Sequence, residues 1–387
     1  MLRECFKKIF NKEPAVIYFS PGRINLIGEH IDYNGGLVFP CSITIGTYAA
    51  TAKRDDKIVR CYSKNFEELG VIEFSLDNLG YDKKDNWTNY AKGVAKFLIE
   101  KYPQIDKGFD TIVYGNIPNG SGLSSSASLE LLFIQIFKDL FDLPITEVEA
   151  ALLGKRVENE YIGVNSGIMD QFAISLGKKD QAILLDCNTL DFEYIPVCMP
   201  DTKIVIMNTN KRRELADSKY NERRAECDSA LAKLQSKIIA TTLCEIALED
   251  LEANKDLLTD NEYKRARHAI TENIRTKSSA EAFKDNDLIK FGKLLNSSHQ
   301  SLKDDYEVTG IELDTLVEAA QRQEGVLGAR MTGAGFGGCS LAIVKNDNIE
   351  DFIEKVGKEY LDKIGYEAGF YIAEIGEGPT KVKDIAE

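Results

Sequence analysis

The residues best suited to chemistry lie in three glycine-bearing segments of a 387-residue chain. The middle segment reads Gly115-Asn-Ile-Pro-Asn-Gly120-Ser121-Gly122-Leu123-Ser124-Ser125-Ser126-Ala-Ser128. Glycines let a backbone turn tightly and approach a ligand closely. The helix predicted to follow offers unpaired N–H groups and the positive end of its dipole, which together make an anion site. The consecutive hydroxyls of Ser124, Ser125 and Ser126 can donate to phosphate oxygens or hold Mg²⁺. The segment is not a Walker A loop, because Gly115-x₄-Gly120 is followed by Ser121 and not by Lys. Positive charge for a phosphate must therefore come from Mg²⁺ and from elsewhere in the chain. A Ser-rich helix cap without a ligand would have the same composition.

The last segment, Met331-Thr-Gly333-Ala-Gly335-Phe-Gly337-Gly338-Cys339, satisfies G-x-G-x-x-G. A dinucleotide fingerprint needs a strand before it and a helix after it. Here the strand-like run Cys339 to Val344 follows, which rules the fingerprint out. The glycines then mark either a close backbone approach at a ligand or a plain connection. The first segment runs Pro21-Gly22-Arg23-Ile-Asn25-Leu26-Ile27-Gly28-Glu29-His30-Ile31-Asp32-Tyr33-Asn-Gly35-Gly36. Glu29, His30 and Asp32 place acceptors and a donor within four residues, which suits a polyhydroxylated ligand. Their alternation with Leu26 and Ile27 indicates that some of these polar groups are held inside. A metal-ligand set is poorly supported, since no second His lies near.

These segments need elements to hold them. Val16 to Phe19, Leu37 to Ala52, Lys57 to Tyr62 and Phe109 to Tyr114 are rich in β-branched and aromatic residues and read as strands. Tyr90, Val94, Phe97 and Leu98 give Trp87 to Tyr102 a helical period. Leu129, Leu132, Phe133, Ile136, Phe137 and Leu140 form one apolar stripe, the clearest helix in the chain. Glu147 to Tyr161 is a second helix. Strands at Ala182 to Leu185 and Lys203 to Asn208 flank Pro196 and Pro200, where a domain boundary is expected. Charged helices fill most of 211 to 325. Strand Cys339 to Val344, a helix over Ile349 to Ile364 and strand Phe370 to Ile375 close the chain. The class is α+β in two domains, 1–195 and 196–387.

Composition narrows the partners. Lys plus Arg is 48 against 62 Asp plus Glu, a net charge of −14, which argues against nucleic acid and anionic membranes. The eight cysteines are scattered without a C-x-x-C pair, as in a reducing compartment. His30, His268 and His299 are too dispersed for a His/Cys zinc site. Met1 to Pro14 is charged and lacks an apolar signal core, and no apolar run reaches the ~18 residues of a membrane span. The expected location is the cytoplasm.

In order along the chain, the three segments resemble the three motifs of the GHMP small-molecule kinases. Gly22-Arg23-Ile-Asn25-Leu26-Ile27-Gly28-Glu29-His30-Ile-Asp32-Tyr33 resembles the galactokinase signature within that family. The resemblance implies an N-terminal domain similar to ribosomal protein S five domain two and a ferredoxin-like C-terminal domain. It implies that Gly120, Ser121, Gly122, Leu123, Ser124, Ser125 and Ser126 wrap the ATP phosphates, with Ser126 and Glu158 on Mg²⁺. By the same resemblance Asp170 is the catalytic aspartate and Arg23 faces it. Glu29, His30, Ile31, Asp32, Gly167 and Tyr220 contact the sugar, Ser63 (in Tyr62-Ser63-x-Asn65-Phe66) contacts the nucleotide, and Trp87 lies beside the adenine. Outside that resemblance, Glu158 reads as a solvated helix residue, Asp170 as a helix cap and Tyr220 as a half-buried tyrosine. The implied reaction is ATP- and Mg²⁺-dependent phosphorylation of galactose at O1, giving α-D-galactose 1-phosphate and ADP, the entry to the Leloir route, by a monomer. Two alternatives are kinases of N-acetylgalactosamine or arabinose, and a non-catalytic galactose sensor. The sensor type shortens the loop after its serine run, whereas Ser124-Ser125-Ser126-Ala127-Ser128 is full length.

Overall fold

A computed structural model of the protein describes residues 1–118, 121–164, 166–211 and 216–382. The N-terminal helix α1 (Leu2–Phe10) buries Leu2, Phe6 and Phe10, spaced four apart on one face, against Ile17, Ala50 and Ile112. Strand β1 (Val16–Asn25) runs six residues past the predicted Phe19. At Pro21-Gly22 the pairing register shifts and the strand continues. A bulge is where a sheet tolerates Pro. The consequence is functional, because Arg23 and Asn25 become strand residues.

Then come β2 (Leu37–Val38), β3 (Pro40–Lys53), β4 (Ile58–Ser63), β5 (Val71–Ser75), α2 (Thr88–Lys101), β6 (Phe109–Gly115) and α3 (Ser125–Leu140). Helix α4 (Glu147–Arg156) starts with a capping box, Thr146 with Glu149, and widens into a π-turn at Val157–Ile162. Short α5 (Met169–Ser175), β7 (Gln181–Asp186) and β8 (Phe192–Pro196) follow. The apolar stripes of α2 and α3, including Val94, Leu98, Leu132, Phe133 and Phe137, pack on Tyr18, Ala49, Val59 and Phe109 of the sheet.

After Pro196 the chain forms β9 (Thr202–Asn208), α6 (Ala216–Leu234), α7 (Leu248–Ala253), α8 (Asp260–Lys284), α9 (Leu288–Asp304) and α10 (Gly310–Gln321). It ends with β10 (Val326–Thr332), β11 (Cys339–Lys345), α11 (Ile349–Ile364), β12 (Gly369–Ala373) and β13 (Thr380–Val382). Strand β10 lies in a stretch read from sequence as the edge of the charged helices. Its partner β11 closes the last glycine segment into an antiparallel hairpin connection.

The second sheet has the order β10-β11-β9-β12, all antiparallel. Alternate residues of β9 serve two cores, as the strand period requires. Val205 and Met207 face α10 and α11, while Ile204 and Ile206 join Ile24, Phe39, Ile43 and Leu123 of the N-terminal half. The first sheet has the order β13-β1-β3-β6-β4-β5, so the last strand crosses back to pair with β1. Among the described residues no helix is long and apolar enough to cross a membrane.

Candidate active site

Arg23 and Asp170, 147 residues apart, meet in a bidentate ion pair. Arg23 is buried; its Nε donates to Asp170 Oδ1 at 2.8 Å and its Nη2 to Oδ2 at 2.7 Å. A fork-to-fork pair of this kind fixes both planes as well as supplying charge. Nη1 of the same guanidinium donates to the Gly122 carbonyl at 2.6 Å. One arginine therefore holds the carboxylate and the serine-rich loop together. Asp170 sits in the first turn of α5 and its side chain stays 32% exposed, so one edge remains open to a ligand. Ser124, expected to face phosphate, instead donates its hydroxyl to Asp170 Oδ2. Ser124 adopts a left-handed φ of 62°, uncommon for a residue with a side chain, at the junction of loop and α3.

Ser126 and Glu158 are the second pairing. Ser126 Oγ donates to Glu158 Oε1 at 2.8 Å. Glu158 Oε2 accepts from Ser166 Oγ at 2.5 Å and from Gln171 Nε2 at 2.9 Å. The π-turn carries Glu158, and its carbonyl accepts from both Gly163 N–H and Val164 N–H at 2.9 Å. Such a widened turn is a recurrent device at functional sites. A hydroxyl and a carboxylate beside a helix N-terminus are hard oxygen donors of the type Mg²⁺ takes. Mg²⁺ normally uses one or two protein carboxylates and completes its shell with phosphate oxygens and water. The donor set fits that pattern, and Ser126 and Glu158 are the residues that would hold the ion. Behind them, burial and then the Glu158 charge push the Glu130 carboxyl well above the usual carboxylate range.

The first glycine segment forms the other side of the site. Asp32 opens a short 3₁₀ turn, Asp32–Asn34. Desolvation, then the charges of Asp170 and Glu29, push its carboxyl up to about 6. A Cβ at Gly167 would stand 2.3 Å from Asp32 Oδ2, so only glycine fits beside that carboxylate. Tyr220 on α6 lies with its ring centroid 5.5 Å from those of His30 and Tyr33. Asp32, Gly167, Tyr220 and His30 thus lie together, with Asp170 close enough for its charge to act on Asp32. His30 and Glu29 have further duties. Burial pulls the His30 pKa down to about 3, so the ring is neutral. Its Nε2 faces the Ala334 carbonyl at 3.2 Å, an acceptor only, and so carries the proton; Nδ1 then accepts from Tyr33 Oη at 2.9 Å. Proton counting continues the relay: Tyr306 Oη donates to Tyr33 at 2.9 Å, and Cys227 Sγ donates to Tyr306 at 3.0 Å. Glu29 Oε1 accepts from Gly333 N–H at 2.7 Å and Thr332 Oγ1 at 3.1 Å, tying the first segment to the third. The Ile31 side chain is in the core, and its carbonyl accepts from Asn34 and Gly36 N–H.

The third segment closes against the second. Gly333 has φ 87°, and a Cβ there would meet the Gly122 carbonyl at 3.1 Å. Ser121 and Leu123 are buried; the Leu123 carbonyl accepts from Arg23 N–H at 3.2 Å, and its N–H donates to Ser121 Oγ at 3.4 Å. Ser125 is exposed at the helix start. Gly120 lies outside the described residues. Ser63 ends β4, where its hydroxyl accepts from Asn65 N–H at 3.1 Å. Asn65 grips both polar groups of Gly115 at 2.8 Å each and so anchors the entry to the serine-rich loop. Trp87 packs on Phe133, ring centroids 6.5 Å apart, at the margin of the N-terminal core.

Several supporting residues carried no motif. Arg330, fully buried on β10, pairs with Glu29 at 3.3 Å and donates to the Asn25 and Leu26 carbonyls at 3.0 and 2.9 Å. Glu272 on α8, also fully buried, accepts from Gly28 N–H at 3.1 Å. Its carboxyl is desolvated, yet the Arg275, His268 and Arg330 charges hold it down at about 2. His268 Nε2 donates to the Glu29 carbonyl at 3.1 Å. In sequence Glu272 and His268 are ordinary members of a charged run, and Arg330 is a lone charge in an apolar stretch. Tyr33 and Gln171 did stand inside recognised segments, which was the available signal for them.

Known proteins match this chain along its length. The galactokinase galactose-binding signature matches residues 4–53, the GHMP kinase N-terminal domain 89–178 and the GHMP kinase C-terminal domain 279–363. A galactokinase of Clostridium perfringens is 63% identical over 382 residues, 98% of this chain and 99% of that one. One of Ligilactobacillus salivarius is 60% identical, with 99% of each chain covered. The crystal structure of Lactococcus lactis galactokinase complexed with galactose superposes with a TM-score of 0.94 at 55% identity, covering 98% of this chain and 99% of that one. A mevalonate kinase at 20% identity and TM-score 0.66, covering 93% of this chain and 99% of that one, shares the fold.

Proposed function

This chain belongs to the galactokinases, within the GHMP kinases, and on that premise we propose that Asp170 and Arg23 carry phosphoryl transfer from ATP to O1 of galactose. The product is galactose 1-phosphate with ADP. The observation that carries the reading is the bidentate Arg23–Asp170 pair, whose guanidinium also grips the Gly122 carbonyl of the serine-rich loop.

A sugar hydroxyl is a weak nucleophile, and phosphoryl transfer depends on in-line positioning and charge stabilisation. Asp170 receives two donors at Oδ2, from Arg23 and Ser124, and one at Oδ1. Oδ1 therefore keeps the open acceptor position, and it is the atom assigned to take the O1 proton. General-base help is typically worth 10²–10⁴-fold. Arg23 keeps the carboxylate oriented and places positive charge at the loop that takes the γ-phosphoryl group. Ser126 and Glu158 would hold Mg²⁺, which would supply the phosphate-neutralising charge of the lysine that this loop lacks. Asp32, Tyr220, His30 and the backbone at Ile31 and Gly167 form the sugar side, and Glu29 shapes it by tying Gly333 to the first segment. Ser121 to Ser126, Ser63 and, at the core margin, Trp87 form the nucleotide side. The full-length serine run and the paired Arg23 and Asp170 favour an enzyme over a galactose sensor. Among the described residues no cysteine forms a disulfide, which supports a cytoplasmic reading. We assign it as a monomer with domains 1–195 and 196–387, the β13 strand returning to the first.

The test is a coupled ADP-release assay with galactose, N-acetylgalactosamine, arabinose, mevalonate and homoserine. Galactose should give the highest kcat/KM, and product analysis should place phosphate on O1. No release with galactose would overturn the assignment.

A further inference from the structure

The two oxygens of Glu158 live in different surroundings. Oε1 faces the Ser126 hydroxyl at 2.8 Å. Oε2 is taken by two donors, Ser166 Oγ at 2.5 Å and Gln171 Nε2 at 2.9 Å. Gln171 is fully buried, and the same amide nitrogen reaches Glu130 Oε2 on α3 at 3.1 Å. One side chain therefore spends both amide hydrogens on two carboxylates from different elements.

Burying an amide is costly unless its groups are bonded. The Gln171 Oε1 atom is buried without a hydrogen-bond partner among the described residues, and so is Glu130 Oε1. An apolar side chain of equal volume would avoid that cost. What the position gains from glutamine is the pair of N–H donors. Space is also made for it: a Cβ at Gly154 on α4 would come within 2.9 Å of Gln171 Cγ and 3.3 Å of Glu130 Oε2. Gln171 directly follows Asp170 in the first turn of α5. That turn thus addresses the phosphoryl-transfer base with one residue and the Glu158 carboxylate with the next.

We infer that Gln171 and Ser166 are positioning residues that clamp Glu158 Oε2 and so turn Oε1, beside Ser126 Oγ, toward the divalent cation that arrives with the nucleotide. This rests on the reading of Glu158 as a metal ligand. Hydrogen bonds to the far side of a ligand commonly govern metal affinity, by 10–100-fold when removed.

The full-length protein should be titrated with Mn²⁺ in the presence of ADP, free ion being read by electron paramagnetic resonance, and with galactose by calorimetry. Gln171→Met keeps the volume and removes both donors; Ser166→Ala removes the other donor from a half-buried loop position and leaves the core untouched. Both variants should weaken Mn²⁺ about tenfold or more while galactose affinity holds, and Glu158→Gln should weaken it at least as much. Should Gln171→Met fail to fold, Ser166→Ala decides the matter. Unchanged Mn²⁺ affinity in the folded clamp variants, with loss in Glu158→Gln, overturns the clamp and spares the ligand assignment. Equal loss of Mn²⁺ and galactose affinity also overturns it, as a general structural effect. Full Mn²⁺ affinity in Glu158→Gln removes the ligand assignment and the clamp with it.

Discussion

The transfer side and the sugar side of the site are built on opposite plans. On the transfer side, the acting groups meet directly: Arg23 in an ion pair with Asp170, and the Ser126 hydroxyl with the Glu158 carboxylate. Arg23 and Ser126 lie in the glycine-bearing segments, whereas Asp170 and Glu158 were singled out by the family resemblance. On the sugar side, Asp32 stands beside a neutral relay from Cys227 through Tyr306 and Tyr33 to His30. The charges that shape it, Arg330, Glu272 and Glu29, are buried behind it and come from β10, α8 and the first segment. The difference teaches that groups which act on a substrate can be recognised from motif resemblance even when far apart in sequence, as Arg23 and Asp170 are, while groups that hold the pocket in shape look like solvent-facing charges until burial is known.

The comparison can be broken first at its strongest point. Asp170→Asn should cut turnover by about 10²–10⁴-fold, the range of general-base help, and ADP release at saturating galactose measures it. Turnover near wild type would remove Asp170 as the base. Next is Arg330→Met, which leaves Glu29 buried without its cation. Breaking a buried pair costs about 3–5 kcal/mol, so denaturant unfolding should show a loss of that order. A change below about 1 kcal/mol, the worth of a surface pair, would mean that Arg330 does not support the sugar side.

Gly167→Ala is a smaller change aimed at the pocket. Its methyl group would strike Asp32 at 2.3 Å, so galactose KM should rise about tenfold, the lower part of the 1–3 kcal/mol that overpacking costs. ATP KM should stay within twofold. A rise in ATP KM alone would put Gly167 on the wrong side of the comparison. The mildest test is pH. Asp32 titrates near 6, above its ordinary value, so it is charged above that pH and protonated below it. As pH falls through 6, Asp32 loses its charge and turns one acceptor oxygen into an O–H donor, so its hydrogen bonds from sugar hydroxyls weaken and kcat/KM for galactose should fall. An acid limb that begins only below pH 4.5, or that persists unchanged in Asp32→Asn, contradicts this role.

Much of the fold was legible because strand and helix patterns were clean: the stripe of α3 and strands β3, β4 and β6 stand where residue type and spacing put them, while β5 went unread. The misses have physical causes. β1 was read only to Phe19, yet a bulge at Pro21-Gly22 carries it to Asn25. The π-turn at Glu158 leaves the helical pattern almost unchanged, since one extra residue per turn alters the hydrogen bonding more than the composition. Strand β10 contains Arg330, whose charge hides a strand buried on both faces. The direction of the Ser124 side chain within the serine run was likewise illegible. Its hydroxyl turns to Asp170 because a left-handed backbone aims it there, a conformation that residue type alone does not reveal.

The claim that the two sides are separable is tested most directly by calorimetric titration of galactose into the Asp170→Asn protein. If Asp170 serves transfer and the pocket is held independently by Asp32, His30, Tyr220 and the charges behind them, the Kd should remain within about threefold of wild type, under 1 kcal/mol. A Kd weakened by a factor of ten or more, with the fold intact, would contradict the account and make Asp170 chiefly a sugar-binding residue.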